Sequence, residues 1–333
     1  MPTFIRRFDM NIGLIGYGFM GGAHAAAIQS LPGVALYALA SRTRPSDDEP
    51  TRGNLDLKTA PLPDSVKWTP DWREVVTDPA IDAVDICLPT HLHKPVALAA
   101  LENGKHVLCE KPMALNTSEC DELMAVAANA GKTFMIAQVL RFRYPYIYAL
   151  DFIRAAGIDN IVSCTLQRST GYPQWSNWLT NSDCSGGAIL DLLSHDLDQA
   201  LLWFGPPDAV SAVSVGDVDT AEATLRYGNR NVIVASGWLT PEAPFSESFR
   251  IETVDSTLHY DGAALTLTHN GNGETVGMPG HDAYADEIAY FVDCAKTGAS
   301  PERCPPEDSA QVVRLAEVLK RSREERGREA SWQ

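Results

Sequence analysis

The segment Gly16-Tyr17-Gly18-Phe19-Met20-Gly21 follows an apolar run at residues 11–15 and opens a helical stretch at residues 22–30. Glycines at this spacing let a chain leave a strand in a tight turn, bring its backbone close to a large ligand and pack a helix back on the strand. The pyrophosphate of a dinucleotide fits such a turn, because helix N-terminal N–H groups point at it and the helix dipole favours its charge. A second apolar run at residues 34–40 completes a βαβ unit.

The pattern continues with strand-like runs at 83–88, 105–109 and 133–139 and helical stretches at 93–102 and 118–130. Strands alternating with helices give a parallel sheet covered on both faces, so residues 10–140 are expected to form a doubly wound α/β Rossmann domain. A helix at 146–156 comes next, and then strands dominate, at 161–168, 209–215, 221–227, 232–239, 248–254 and 264–269. Helices are expected at 188–203, 283–296 and 306–323, which makes residues 141–333 a second, sheet-rich domain. The Pro- and charge-rich stretch 43–63 reads as a long loop, and no internal repeat is evident.

With 43 acidic against 27 basic residues the net charge is −16, which repels nucleic acid and anionic membrane. No apolar run approaches the ~20 residues that span a bilayer, and the start lacks a signal-peptide core, so a cytoplasmic protein is expected. Seven scattered cysteines, none spaced as CxxC, argue against a disulfide framework and a thiolate metal site.

NAD-specific Rossmann domains carry an acid at the end of the second strand to bind the ribose hydroxyl. Here that place reads Ser41-Arg42, and Arg42 suits a 2′-phosphate, so NADP is favoured with NAD as the alternative. Asp47, Asp48 and Glu49 are the acids that could reach the ribose instead.

Three longer segments, GLIGYGFMGGAHAAA, LPTHLHKPVALAALENGKHVLCEKPMALN and GGAILDLLSHDLDQALLWFG, resemble the Gfo/Idh/MocA family, named for glucose-fructose oxidoreductase and inositol dehydrogenase. The resemblance runs from about residue 10 to 322 and implies NAD(P) binding, a C-terminal α+β domain on an open mixed sheet, and homodimers or homotetramers formed through that sheet. Carried over, the lysine of the family's EKP is Lys111, and its Asp and His, four residues apart, are Asp191 and His195. The TPNxxH segment corresponds to Leu88-Pro89-Thr90-His91-Leu92-His93, with Thr90 for the asparagine, and Leu193 stands where the family often has glycine.

Cofactor contacts are therefore expected from Gly16, Gly18, Phe19, Met20 and Gly21, from Ser41 and Arg42, and from Pro89, Thr90, His93, Glu110 and Lys111. Oxidising an alcohol requires a base for the hydroxyl proton as hydride leaves carbon. His195 is the candidate base, Asp191 on the same helical face orients substrate or supports the imidazolium, and Lys111 stabilises the developing alkoxide. His91 and His93 resemble a metal pair but lack a third ligand nearby, so a metal-free reaction is expected. Gln138, Arg141, Arg168, Tyr172, Trp175 and Trp178 offer donors and aromatic faces to a polyhydroxylated ligand, although packing roles suit each equally well. The expected activity is hydride transfer between a nicotinamide and a CH–OH group of a sugar, polyol or inositol-like substrate. The alternatives are a non-enzymatic dinucleotide- and sugar-binding regulator and a redox-assisted, NAD-dependent glycosidase.

Overall fold

The structure, a computed structural model, describes residues 9–45, 53, 55, 57–216 and 219–332. Asp47, Asp48, Glu49 and part of the expected 43–63 loop lie outside the described residues. The chain divides into two compact units.

The first unit is built on β1 (Met10–Ile15), α1 (Phe19–Ser30), β2 (Val34–Ala40), β3 (Lys67–Thr69), α2 (Trp72–Thr77), β4 (Ala83–Ile86), α3 (His93–Glu102), β5 (His106–Glu110), α4 (Thr117–Ala130) and β6 (Phe134–Ala137). Its six strands are all parallel, in the order β3-β2-β1-β4-β5-β6. That is the doubly wound Rossmann arrangement, with β1 and β4 adjacent at the point where strand order reverses. All four residues of both β4 and β6 are buried, as strands covered on both faces must be.

The second unit begins with α5 (Tyr144–Ala156), β7 (Ser163–Gly171) and the single turn α6 (Ser182–Ser185). A π-helical stretch, Ile189–Leu193, then leads into α7 (Ser194–Phe204). Strands β8 (Ala209–Val213), β9 (Thr220–Tyr227), β10 (Arg230–Leu239), β11 (Ser246–Glu252), β12 (Ser256–Tyr260), β13 (Leu265–His269) and β14 (Asn272–Val276) follow. With β7 and a short C-terminal β15 (Ala330–Ser331) they make a nine-stranded sheet ordered β14-β13-β12-β11-β7-β10-β9-β8-β15. The sheet is mixed, since β7 and β10 are parallel and the remaining pairs antiparallel. Along β7 the side chains of Cys164, Leu166, Arg168 and Thr170 are buried while Gln167 is exposed, the alternation of a sheet with one covered face. Tyr146 of α5 and Trp203 of α7 meet Phe249 of β11 in an aromatic cluster on the covered face.

Of the last two helices, α8 (Ala283–Thr297) lies within residues 282–306, which belong to the first unit, where it packs on α1. Sequence order had grouped it with the second domain, but its apolar face of Ile288, Phe291 and Val292 is buried by the first. The final helix α9 (Pro306–Glu324) lies in the second unit. Strands β3, β12 and β14 were not anticipated; β3 has three residues, and the outer β14 is largely exposed, so neither carries an apolar alternation to read.

Candidate active site

In the first unit the three loop glycines do three different things. Gly16 has φ +99°, and a Cβ there would lie 2.3 Å from the Cys87 carbonyl oxygen, so only glycine makes this turn. A Cβ on Gly21 would lie 2.2 Å from the Gly16 carbonyl oxygen, so glycine lets α1 sit against the loop. Gly18, by contrast, is exposed and its Cβ would meet nothing within 4 Å. It is also the N-cap of α1, with no side-chain cap and no acidic residue in the first turn. A helix N-terminus kept bare on an open, glycine-lined approach fits an anionic group such as a pyrophosphate. Phe19 and Met20 form the half-buried first turn above it.

At the end of β2, Ser41 Oγ accepts from Trp68 Nε1–H at 3.0 Å and donates to the Thr43 carbonyl at 2.8 Å, while Arg42 is exposed. The ends of β4 and β5 are tied together. His93 is buried and its ring nitrogens lie 2.8 Å from the Pro112 carbonyl oxygen and 2.7 Å from that of Leu88. Burial lowers its affinity for a second proton while those two carbonyls oppose that effect. The ring thus braces the backbone at Leu88 and Pro112. Thr90 is buried too, and Pro89 is half-exposed.

Glu110 is likewise turned inward. One carboxylate oxygen lies 3.1 Å from His24 Nε2, and the other accepts the Lys111 N–H at 3.0 Å. Burial would raise its pKa, yet His24 and Lys111 hold it below the ordinary glutamate value. Lys111 stands next, half-exposed, followed by a cis peptide bond to Pro112.

In the second unit, every residue from Ser185 to Ala200 is buried except Asp191 and His195. Asp191 sits in the π-helical stretch and His195 in the first turn of α7; one-turn π insertions are a common way to re-aim side chains at functional sites. The acids that follow His195 look inward. Asp196 receives Arg168 Nε at 2.9 Å and Nη2 at 3.1 Å, and Arg168 also reaches Glu247 at 2.8 Å and the Tyr146 hydroxyl at 2.9 Å. Asp198 is held bidentately by Arg141, at 2.9 and 2.7 Å, and Arg141 extends to Asp308 at 2.8 Å. Arg168 and Arg141, expected as ligand donors, spend their guanidinium groups on these buried carboxylates and pin α7 from within. Gln138 is buried with its amide on Ser309 Oγ, 3.1 Å away. Tyr172 packs edge-on to Trp238 beside Ala188 and Leu192, and Trp175 is exposed. A further acid, Asp219, accepts the Ala188 N–H at 2.7 Å and pairs with Arg323 of α9 at 2.6 Å, fastening the start of the π-helical turn.

Sequence reasoning does not single out His24, Asp85, Glu287, Asp219, Asp196 or Asp198. Their one local signal is a titratable residue inside an apolar stripe, such as Glu287 one position before Ile288 on the buried side of α8.

Residues 10–138 match the family described as "Oxidoreductase family, NAD-binding Rossmann fold", and residues 146–259 match the GFO/IDH/MocA C-terminal domain. A levoglucosan dehydrogenase of Pseudarthrobacter phenanthrenivorans is 33% identical over 274 residues, covering 80% of this chain and 69% of that protein. The chain belongs to the Gfo/Idh/MocA family. A D-xylose 1-dehydrogenase (NADP(+)) of Haloferax volcanii is 28% identical over 269 residues, 76% of this chain and 81% of that one. A solved levoglucosan dehydrogenase in complex with NADH and L-sorbose superposes with a TM-score of 0.81 at 22% identity, over 97% of this chain and 99% of the other. This Gfo/Idh/MocA protein is thus an NAD(P)-dependent oxidoreductase on a Rossmann domain. Among the described residues no helix is long and apolar enough to cross a membrane.

Proposed function

We propose that the protein transfers hydride between a nicotinamide and a secondary alcohol of a sugar or polyol, with Lys111, Asp191 and His195 as its catalytic residues. The observation that carries this reading is the exposure of Asp191 and His195 alone in an otherwise buried run of helix. A fold that buries every neighbour yet leaves a carboxylate and an imidazole half-exposed keeps them for a ligand.

Gly16, Gly18, Phe19, Met20 and Gly21 would hold the pyrophosphate, Ser41 and Arg42 the ribose end, and Pro89 and Lys111 the nicotinamide end. When bound, the nicotinamide accepts or returns the hydride. His195 takes the hydroxyl proton as the C–H bond breaks, and a proton acceptor of near-neutral pKa suits that step. Asp191 orients the substrate or steadies the imidazolium. The Lys111 ammonium donates to the reacting oxygen and stabilises the negative charge that grows there. Arg42, without an acid beside it on β2, favours NADP(H) over NAD(H). Tyr172 and Trp175 are proposed to offer faces to the sugar ring. The enzyme is further proposed to work in the cytoplasm, where its seven free cysteines stay reduced, and to assemble as a dimer or tetramer through the open face of the nine-stranded sheet.

The test is turnover on a panel of sugars and polyols that begins with levoglucosan and D-xylose, followed at the nicotinamide absorbance band. Lys111→Ala and His195→Ala should each lower kcat by roughly 10²-fold with cofactor affinity little changed. Wild-type turnover in both variants would refute the mechanism. Reduced cofactor that never accumulates with product would favour a regulator or a redox-assisted glycosidase instead.

A further inference from the structure

Beneath the glycine loop lies a polar cluster that the proposed mechanism does not use. His24, in the middle of α1, is fully buried. Its Nδ1 is 2.9 Å from Asp85 Oδ2 at the end of β4, and its Nε2 is 3.1 Å from Glu110 Oε1 at the end of β5. Nδ1 is hydrogen-bonded to Asp85, and Nε2 lies within ion-pair distance of Glu110 without a hydrogen bond of its own. We propose that His24 is a positioning residue: by holding Glu110 it fixes the carboxylate that receives the Lys111 N–H, and so sets where Lys111 leaves β5.

The connection is short and continuous. Asp85 holds one side of the ring, Glu110 the other, and the second oxygen of Glu110 accepts from Lys111 N at 3.0 Å. The buried Glu110 carboxylate is the single link between the imidazole and the backbone of the lysine. Among the described residues, the charged and titratable groups that face the ring are Asp85 of β4 and Cys87 just after it, Glu110 of β5, and Tyr284 and Glu287 of α8. Although burial opposes a charged ring, the Asp85 carboxylate keeps the His24 pKa well above that of an ordinary histidine. Glu287 is fully buried with no hydrogen-bond partner on either oxygen, and burial raises its pKa well above the ordinary glutamate value. The ring therefore serves the two carboxylates that touch it. His24, Asp85 and Cys87 also lie within 4.8 Å of one another, the spacing of a metal-ligand set. That reading is weaker, because both ring nitrogens already face carboxylates and burial pushes the Cys87 thiol up, away from the thiolate that a metal needs.

This inference rests on the role proposed for Lys111, so Lys111→Ala is measured beside His24→Gln. Gln fills similar volume but is neutral and has one nitrogen, so it serves only one carboxylate. We expect His24→Gln to lower kcat by about 10- to 100-fold, the scale of a small misplacement of a reacting group, with the cofactor Kd unchanged. Glu110→Gln keeps an oxygen for the Lys111 N–H, and its N–H can be accepted by Nε2 once that nitrogen gives up its proton, so it should exceed Glu110→Ala in kcat by about tenfold. Independently of activity, 15N-histidine NMR of the cofactor-free protein should show one doubly protonated ring at about pH 8, well above the ordinary histidine pKa, and His24→Gln should remove it. Wild-type kcat in His24→Gln, with Lys111→Ala impaired, overturns the positioning role alone. Wild-type turnover in Lys111→Ala overturns both that role and the part proposed for Lys111 in the mechanism. If His24→Gln does not fold, equal kcat for Glu110→Gln and Glu110→Ala, or a neutral ring by NMR, overturns it.

Discussion

Substituting Gly18 separates ligand binding from folding more cleanly than any other change in the loop. Its backbone, at φ −94° and ψ −153°, is accessible to any L-residue, and an added Cβ meets no protein atom within 4 Å. Gly18→Ala should therefore leave the fold intact and even stabilise it by about 0.4–1 kcal/mol, because alanine restricts the unfolded chain. The same methyl group stands where a pyrophosphate must approach the first turn of α1. If it displaces two charge-assisted N–H to phosphate bonds, each worth about 1.5–3 kcal/mol, the loss is about 3–6 kcal/mol. That is roughly a 10²- to 10⁴-fold rise in Kd. Gly16→Ala and Gly21→Ala behave oppositely, since their Cβ atoms would strike carbonyl oxygens at 2.3 and 2.2 Å, and both should lower the melting temperature of the cofactor-free protein. Titration by nicotinamide fluorescence, paired with thermal melts without cofactor, reads both quantities. Wild-type affinity in Gly18→Ala, or a Gly18→Ala melt well below wild type, would refute the assignment of the loop.

Arg42→Ala should weaken NADPH by about 10- to 100-fold and leave NADH unaffected, as expected for a lost pairing with the 2′-phosphate; equal losses for both cofactors would remove Arg42 from the ribose end. Arg168→Met strands Asp196 in the interior and leaves Glu247 to Arg143 alone among cations, and should cost about 3–5 kcal/mol in denaturant unfolding; a loss under about 1 kcal/mol would show that the network is not holding α7. Glu287 has a raised pKa in the folded state through burial, so its contribution to stability is full below the unfolded pKa and is lost as pH rises toward the folded value. Glu287→Gln should therefore gain on wild type in melting temperature as pH increases from about 5 to 8, the range above the ordinary glutamate pKa; a constant difference across that range would mean that Glu287 does not titrate as described. Light scattering that gives the 36.2 kDa monomer at working concentration would argue against assembly through the open sheet face.

The Rossmann half was legible because its signals are local. A strand, a glycine turn and a helix lie within about twenty residues, and Gly16 and Gly21 answer to atoms of the adjacent strand end and of their own loop. Asp191, His195 and Lys111 were singled out through the family resemblance, and the i, i+4 spacing added only that the first two share a helical face. The π-helical turn that presents Asp191 was not legible, because its start is held by Asp219 at a separation of 31 residues. His24 meets Asp85 across 61 residues, and Arg168 meets Glu247 across 79. Such pairs form only where the sheet order brings distant strand ends together, and nothing in the chain near His24 or Asp196 distinguishes a buried ion partner from a solvated one. Local periodicity and turn chemistry thus chose the elements. Which carboxylates and cations stay dry, and which of them steady the reactive ones, was left to long-range packing, because the cost of burying a charge is settled only by the partner that the fold delivers.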